Sequence, residues 1–303
     1  MSKSRLLTLP LFVAALILMG CLMSSPRAVA EGSGQVTERT LRIGGLDRTY
    51  LLYRPTSLPA GKPVPLVVAL HGGVGTGKIM EDMTHFDNVA DEHGFMVAYP
   101  DGIARAWNAG SCCAKPMQDN VDDVGFVRAV INDAKAIAPI DARRVYGTGF
   151  SNGSMLLHRI ACEAPDTFTA IAAVSGGIMV QSCTPKRGIP ALLIQGRADP
   201  RIPWDGGVFE GSFRPSIAQI VQSLGQRNQC STQDDVVSEE SGVQCRTLRG
   251  CASGDEVTWC GIAGAGHQWA GGRTFLPRFL GQNNDRWDAS EKIWSFFSRY
   301  PKS

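Results

Sequence analysis

The chain has 303 residues, 44% hydrophobic and 19% charged, with a formal net charge of +2. That balance suits one large α/β domain or two small ones, and excludes a coiled coil or a disordered chain. No repeat, low-complexity tract or basic stripe is visible, which argues against nucleic acid as a partner.

In chain order, the first feature is a targeting segment. Lys3 and Arg5 precede the uncharged run "LLTLPLFVAALILMGCL", too short and wrongly flanked for a stable membrane span. Two processing sites compete: a lipobox-like "LMGC" ending at Cys21, and an A-x-A site, "AVA", before Glu31. Residues 1–30 therefore read as a signal peptide and 31–303 as a single catalytic domain. The protein is expected to be exported, either free (extracellular or periplasmic) or held to a membrane through lipid on Cys21.

"QVTERTLRIGGLDRTYLLYRP" alternates like an edge hairpin turning at Gly44-Gly45. "VPLVVALHG" is a continuous apolar strand, the kind covered on both faces. A helix is predicted from about Lys78 to His93, then the strand "GFMVAYP", then a helix in "DDVGFVRAVINDAKA" with Asp122 or Asp123 as its cap. "RRVYGTGF" reads as a strand running into the helical "NGSMLLHRIAC". "FTAIAAVSG" and "IPALLIQG" are further strands, "SIAQIVQSL" is helical, "EVTWCGIAG" is a late strand, and "DASEKIWSFFSRY" is a closing helix capped by Asp288. Strands alternating with helices predict an α/β fold with a mostly parallel central sheet covered on both faces.

Two motifs compete for function. "GGVGTGK" carries Gly72, Gly77 and Lys78 in P-loop spacing, but Ile79 stands where the magnesium-holding hydroxyl belongs. "GFSNGSM" fits the nucleophile elbow G-x-S-x-G, with Ser151 between Gly149 and Gly153; the bland alternative is a helix N-cap. The order nucleophile, acid, histidine then selects Asp199, just past the strand "LLIQG", and His267, in the glycine-rich loop "GAGHQWAGG". Read one residue earlier, the P-loop decoy is "LHGGVG", an oxyanion turn offering the N–H of Gly73 alongside that of Asn152. His71 then belongs to that turn, and His158, two helical turns past Ser151, is a structural residue pointing away from it. Trp107, Trp204 and Trp269 lie on loops that converge on the cleft, and are expected to line it as an aromatic wall.

"LHGGVG", "WNAGSCC", "VDDVGF", "GFSNGSM", "GRADPRIPWDGG" and "GAGHQW" together resemble the polyhydroxybutyrate-depolymerase-like esterases, kin of secreted feruloyl and acetylxylan esterases, over residues 40–298. The resemblance implies the α/β-hydrolase fold without a large lid, Ser151 as nucleophile, Asp199 as orienting acid and His267 as base. The implied partner is a small or oligomeric ester, with no metal or cofactor required. Trp204 stands where the family often has tyrosine, and "HQWAGG" replaces a more usual "HSWPG". A catalytically inactive, ligand-binding lipoprotein on the same fold is the alternative of a different class.

Eight cysteines follow Cys21, an even number that reads as disulfides in an exported chain. Cys230 is expected to pair with Cys251 and Cys245 with Cys260. Cys112 and Cys113, being adjacent, are expected to reach Cys162 and Cys183 instead.

Overall fold

A computed structural model describes residues 32–183, 187–209 and 211–301. Within it Glu31–Ser303 forms one compact unit. Residues 1–30, where the sequence predicts a targeting segment with Cys21 and the "AVA" site, lie outside the described residues. Among the described residues no helix is long and apolar enough to cross a membrane.

The elements in chain order are β1 (Gln35–Ile43), β2 (Leu46–Arg54), β3 (Val64–Leu70), α1 (Gly77–Thr84), α2 (Phe86–His93), β4 (Met96–Pro100), α3 (Ala114–Gln118), α4 (Asp123–Ile137) and β5 (Ile140–Phe150). After them come α5 (Asn152–Glu163), β6 (Ala170–Val174), β7 (Ala191–Gly196), β8 (Gly207–Phe209), β9 (Ser212–Arg214), α6 (Ile217–Arg227), β10 (Asp234–Glu240), β11 (Val243–Leu248), β12 (Val257–Ile262), α7 (Pro277–Leu280) and α8 (Ala289–Phe297).

Ten strands form one sheet in the order β1-β2-β4-β3-β5-β6-β7-β12-β11-β10. The six from β4 to β12 run parallel, and an antiparallel hairpin closes each edge. Alternation along β3 explains the layers. Leu66, Val68 and Leu70 pack with Phe126 and Val130 of α4, Leu156 and Ile160 of α5, and Ile220 of α6. Val67 and Ala69 pack on the opposite face with Met80 of α1, Phe86 of α2 and Ile293 and Phe297 of α8. Both faces are dry, so the central strands need no polar alternation. This is the α/β-hydrolase fold.

Asp122 caps α4 by accepting from the Gly125 N–H at 2.7 Å, and Asp288 caps α8, as the sequence predicts. The single helix expected over residues 78–93 is instead two, broken at His85 with φ 53°. The cause is tertiary. Ser290 of α8 donates to the Thr84 carbonyl, and the Arg273 N–H donates to Met83, so those carbonyls are satisfied from outside the helix. The strands β10 and β11 and the small β8–β9 hairpin, which the sequence pattern does not predict, lie in the long stretch after Asp199.

Cys230–Cys251 and Cys245–Cys260 pair as expected, the latter directly opposite each other across β11 and β12. The other expectation is overturned: Cys112 bonds Cys113, across a cis peptide, and Cys162 bonds Cys183. Distance forbids the expected pairing. Cys113 sits against Asn152 at the first residue of α5, whereas Cys162 is in its last turn. Ten residues of helix separate those positions by about 15 Å, well beyond the span of a disulfide.

Candidate active site

The register of the parallel strands assembles the site. Leu70 lies opposite Gly149 and Phe150 opposite Val174, so the β3 and β5 ends meet; Ile262 lies opposite Gly196, so the loops after β12 and β7 leave side by side. Those four ends carry His71–Gly73, Ser151, His267 and Asp199.

Ser151 has φ 53° and ψ −116°, a conformation rarely adopted by a residue with a side chain. Its N–H donates to Val174 at 2.8 Å and its carbonyl accepts from Met155 at 3.0 Å, so the backbone is fixed at both ends. The side chain makes no capping bond to α5, which removes the N-cap explanation. The flanking glycines answer a close approach. A Cβ on Gly153 would lie 2.3 Å from the Leu70 carbonyl oxygen and 2.5 Å from that of His71. One on Gly149 would lie 2.7 Å from the Gly153 carbonyl carbon. α5 therefore packs directly on strand ends, and the serine side chain is pushed outward.

Asp199 and His267 are joined by a bond of 2.8 Å from Nδ1 to Oδ2, with both residues about 5% exposed. The other carboxylate oxygen accepts the N–H groups of Arg201 and Ile202 at 2.8 and 2.9 Å. Gln195, buried at the end of β7, donates to Oδ2 at 2.9 Å and to the Ile202 carbonyl at 2.7 Å. Four donors thus fill the carboxylate, which can only accept. With Nδ1–H given to Asp199, Nε2 is the basic nitrogen of His267. The imidazole lies 4.8 Å from the ring of Phe150, the residue before Ser151.

The turn after β3 is built to aim one peptide. The carbonyl of Gly72 accepts from His71 Nδ1 at 2.7 Å and from the Gly75 N–H at 3.0 Å. The Gly73 N–H belongs to the same planar trans peptide and points the opposite way. A Cβ on Gly72 would be 3.3 Å from that of Ser151, while Gly73 has nothing within 4 Å and Val74 is 78% exposed. Asn152, as the first residue of α5, has an N–H without an intrahelical acceptor. His71 Nε2 accepts the Gly102 N–H at 2.9 Å, and burial pushes its pKa down to about 4. It is therefore neutral at neutral pH and structural, as expected.

The three tryptophans divide. Trp204 is half-buried, with the Arg197 guanidinium 4.2 Å above its ring. Trp107 and Trp269 are wholly buried, so neither can form part of an exposed wall. Trp269 bonds Ser290 and packs edge-on against Phe86. Trp107 bonds the His71 carbonyl through its indole N–H at 2.8 Å. A large apolar ring supports a loop most strongly from beneath, and loop position alone does not tell beneath from above.

The P-loop reading fails on geometry. Asp101 accepts from the Gly77 N–H at 2.8 Å, placing a carboxylate where a phosphate would sit, and Lys78 pairs with Glu81 and Asp82. His158 is fully buried, with neither ring nitrogen hydrogen-bonded. Burial lowers its pKa to about 3. Sequence reasoning missed Gln195; its signal was a lone amide in the apolar "ALLIQG".

Residues 48–240 match the esterase PHB depolymerase family. The chain is 31% identical over 293 residues to the putative esterase NocK of Nocardia uniformis subsp. tsuyamanensis, covering 89% of this chain and 84% of that one. It is 28% identical over 305 residues to the probable feruloyl esterase C of Aspergillus terreus, covering 97% and 98%. Among solved structures, it is similar to the acetyl xylan esterase from Aspergillus awamori (TM-score 0.61, 13% identity, 86% of this chain and 99% of that one). It is also similar to a feruloyl esterase module from Clostridium thermocellum (0.57, 12%, 89% and 88%).

Proposed function

Because the chain belongs to the esterase PHB depolymerase family and is a carboxylic ester hydrolase, we propose that it is an exported serine esterase working through Ser151, His267 and Asp199. The observation carrying this reading is the juxtaposition of a strained, uncapped serine with a buried Asp–His pair on strand ends in register.

In this mechanism His267 Nε2 accepts the Ser151 proton as Oγ attacks the ester carbonyl. The N–H groups of Gly73 and Asn152 receive the oxyanion, each contributing a few kcal/mol to lowering the barrier. The imidazolium gives its proton to the leaving alcohol. Water, activated by the same nitrogen, then releases the acid. Asp199 keeps Nδ1 protonated throughout and offsets the imidazolium charge. The cycle consumes one water per ester, and the residues named supply every proton transfer.

The substrates proposed are short acyl or feruloyl esters and soluble hydroxyalkanoate oligomers, with Trp204 as the aromatic residue that touches them. Relatives named feruloyl esterase support the acyl class, and the open approach past Gly73 and Val74 supports a substrate that enters without displacing a cover. Export rests on residues 1–30; cleavage before Glu31 gives a free enzyme and lipidation of Cys21 an anchored one.

The test compares kcat/KM on acetyl, butyryl, feruloyl and palmitoyl esters and on hydroxybutyrate oligomers. The short and feruloyl esters should lead, and an optimum at palmitoyl would overturn the substrate assignment while leaving the triad standing.

A further inference from the structure

The segment from Trp107 to Cys113 contains no member of the proposed triad, yet its bonds run to both halves of the oxyanion site. The Trp107 N–H donates to Asn152 Oδ1 at 2.7 Å, and Asn152 Nδ2 donates back to the Trp107 carbonyl at 3.1 Å. The same residue's indole N–H holds the His71 carbonyl, and its ring lies 4.7 Å from the His71 imidazole. One fully buried residue therefore ties the head of α5 to the end of β3. These are the two elements that carry the Asn152 and Gly73 N–H groups.

The loop is itself fixed on three sides. Asn108 donates its N–H to Asp123 at 2.7 Å, and Asp123 is held at 2.7 Å by buried Arg48. Arg159 of α5 reaches the Asn108 carbonyl at 2.8 Å. Ser111 gives both its N–H and hydroxyl to Met179, at 2.9 and 2.8 Å. Gly110, at φ 99°, lets this approach happen, since a Cβ there would meet the Met179 oxygen at 2.8 Å. The bonded cysteines close the loop: the Cys113 N–H returns to the Trp107 carbonyl at 3.1 Å, and Asn152 Nδ2 donates to Cys113 Sγ at 3.3 Å.

We propose that the Trp107–Cys113 loop, closed by the bond between its adjacent cysteines, is a clamp that holds the Gly73 and Asn152 N–H groups at a fixed separation, with Trp107 as its positioning residue. The inference rests on the oxyanion assignment given under Proposed function. His71 and Gly75 fix the Gly72–Gly73 peptide within its turn, but the distance from that turn to the head of α5 is set by the bonds that Trp107 makes to both. Displacing a donor by an ångström or so costs transition-state binding while leaving ground-state contacts nearly intact.

Trp107→Phe keeps the ring and deletes the indole donor; a Cys112→Ser/Cys113→Ser double variant opens the loop without touching Trp107. Both are assayed beside wild type and Ser151→Ala, at a temperature where circular dichroism shows each folded. The readouts are kcat, KM for a short acyl ester, and inhibition by an alkyl boronic acid, whose tetrahedral adduct places an oxygen in the oxyanion site. Each clamp variant should lose about tenfold or more in kcat and in boronate affinity, with KM within about twofold. Wild-type kcat and boronate affinity in both variants, with Ser151→Ala inactive, would overturn the clamp and spare the triad. An active Ser151→Ala would overturn the triad and the clamp together.

Discussion

Asp87, on α2, is buried at an electrostatic cost that can be read as a function of pH. It is 7% exposed, accepts the Tyr99 hydroxyl at 2.7 Å, and lies against the carboxyl group of Glu81. Burial first, and the neighbouring Glu81 charge, push its pKa up to about 8. Tyr99 is itself fully buried, which holds its hydroxyl protonated as the donor. In the unfolded chain the same carboxyl ionises near the ordinary value of about 4. Because the folded pKa is the higher one, the associated stability is complete below about pH 4 and is lost progressively as pH rises to about 8. Over that window the slope is about 1.4 kcal/mol per pH unit. Asp87→Asn keeps the acceptor for Tyr99 and supplies a permanent donor where the carboxyl needs a proton. The variant should match wild type near pH 4 and exceed it by about 4 kcal/mol near pH 7, or roughly 10 °C in melting temperature. Thermal unfolding of both proteins across pH 4 to 9 gives the comparison. Parallel curves, or an Asn variant that is less stable at every pH, would refute the reasoning.

Three further outcomes are expected. Gly153→Ala drives a Cβ to 2.3 Å from the Leu70 oxygen, so soluble yield and melting temperature should fall by an amount equivalent to about 2 kcal/mol or more; a variant as stable as wild type would contradict the packing of α5 on β3. Asp199→Asn preserves the volume and the Arg201 and Ile202 bonds but can hold His267 in the wrong tautomer, so kcat should drop by about three orders of magnitude with little change in KM, as steady-state kinetics would reveal. Lys78→Ala removes a largely exposed ammonium from buried Glu81 and exposed Asp82 and should leave kcat/KM within about twofold, since Lys78 has no part in the proposed chemistry; a large loss would return attention to the phosphate-loop spacing.

The parallel core was legible because β3, β6 and β7 are nearly uninterrupted apolar runs, and α4 and α8 carry their own capping aspartates. The sharp turn at Ser151 and the pairing of Asp199 with His267 were legible because each of these residues follows a strand end. What escaped notice depends on contacts between distant segments. The break at His85 is set by Ser290 and Arg273, some two hundred residues away, and periodicity within α1 and α2 carries no trace of them. β10 and β11 read as mostly polar segments, and only the fold brings Val243 and Cys245 beside Cys260 and Ile262 in the core. Trp107 and Trp269 sit in motifs that border the site, yet the sequence does not say on which side of the backbone a ring lies. The bond between Cys112 and Cys113 was discounted by the usual geometry of neighbouring residues. Here a turn held by the Trp107 and Cys112 carbonyls sets the Cys113 sulfur against Asn152.

The claim that Ser151 is the nucleophile is tested most directly by treating the purified protein with an alkyl fluorophosphonate and locating the adduct by peptide mass spectrometry. One adduct is expected, on the peptide containing Ser151, absent from Ser151→Ala and strongly reduced in a His267→Ala variant that lacks the base. Labelling that persists undiminished in Ser151→Ala, or that maps to another residue, would contradict the account.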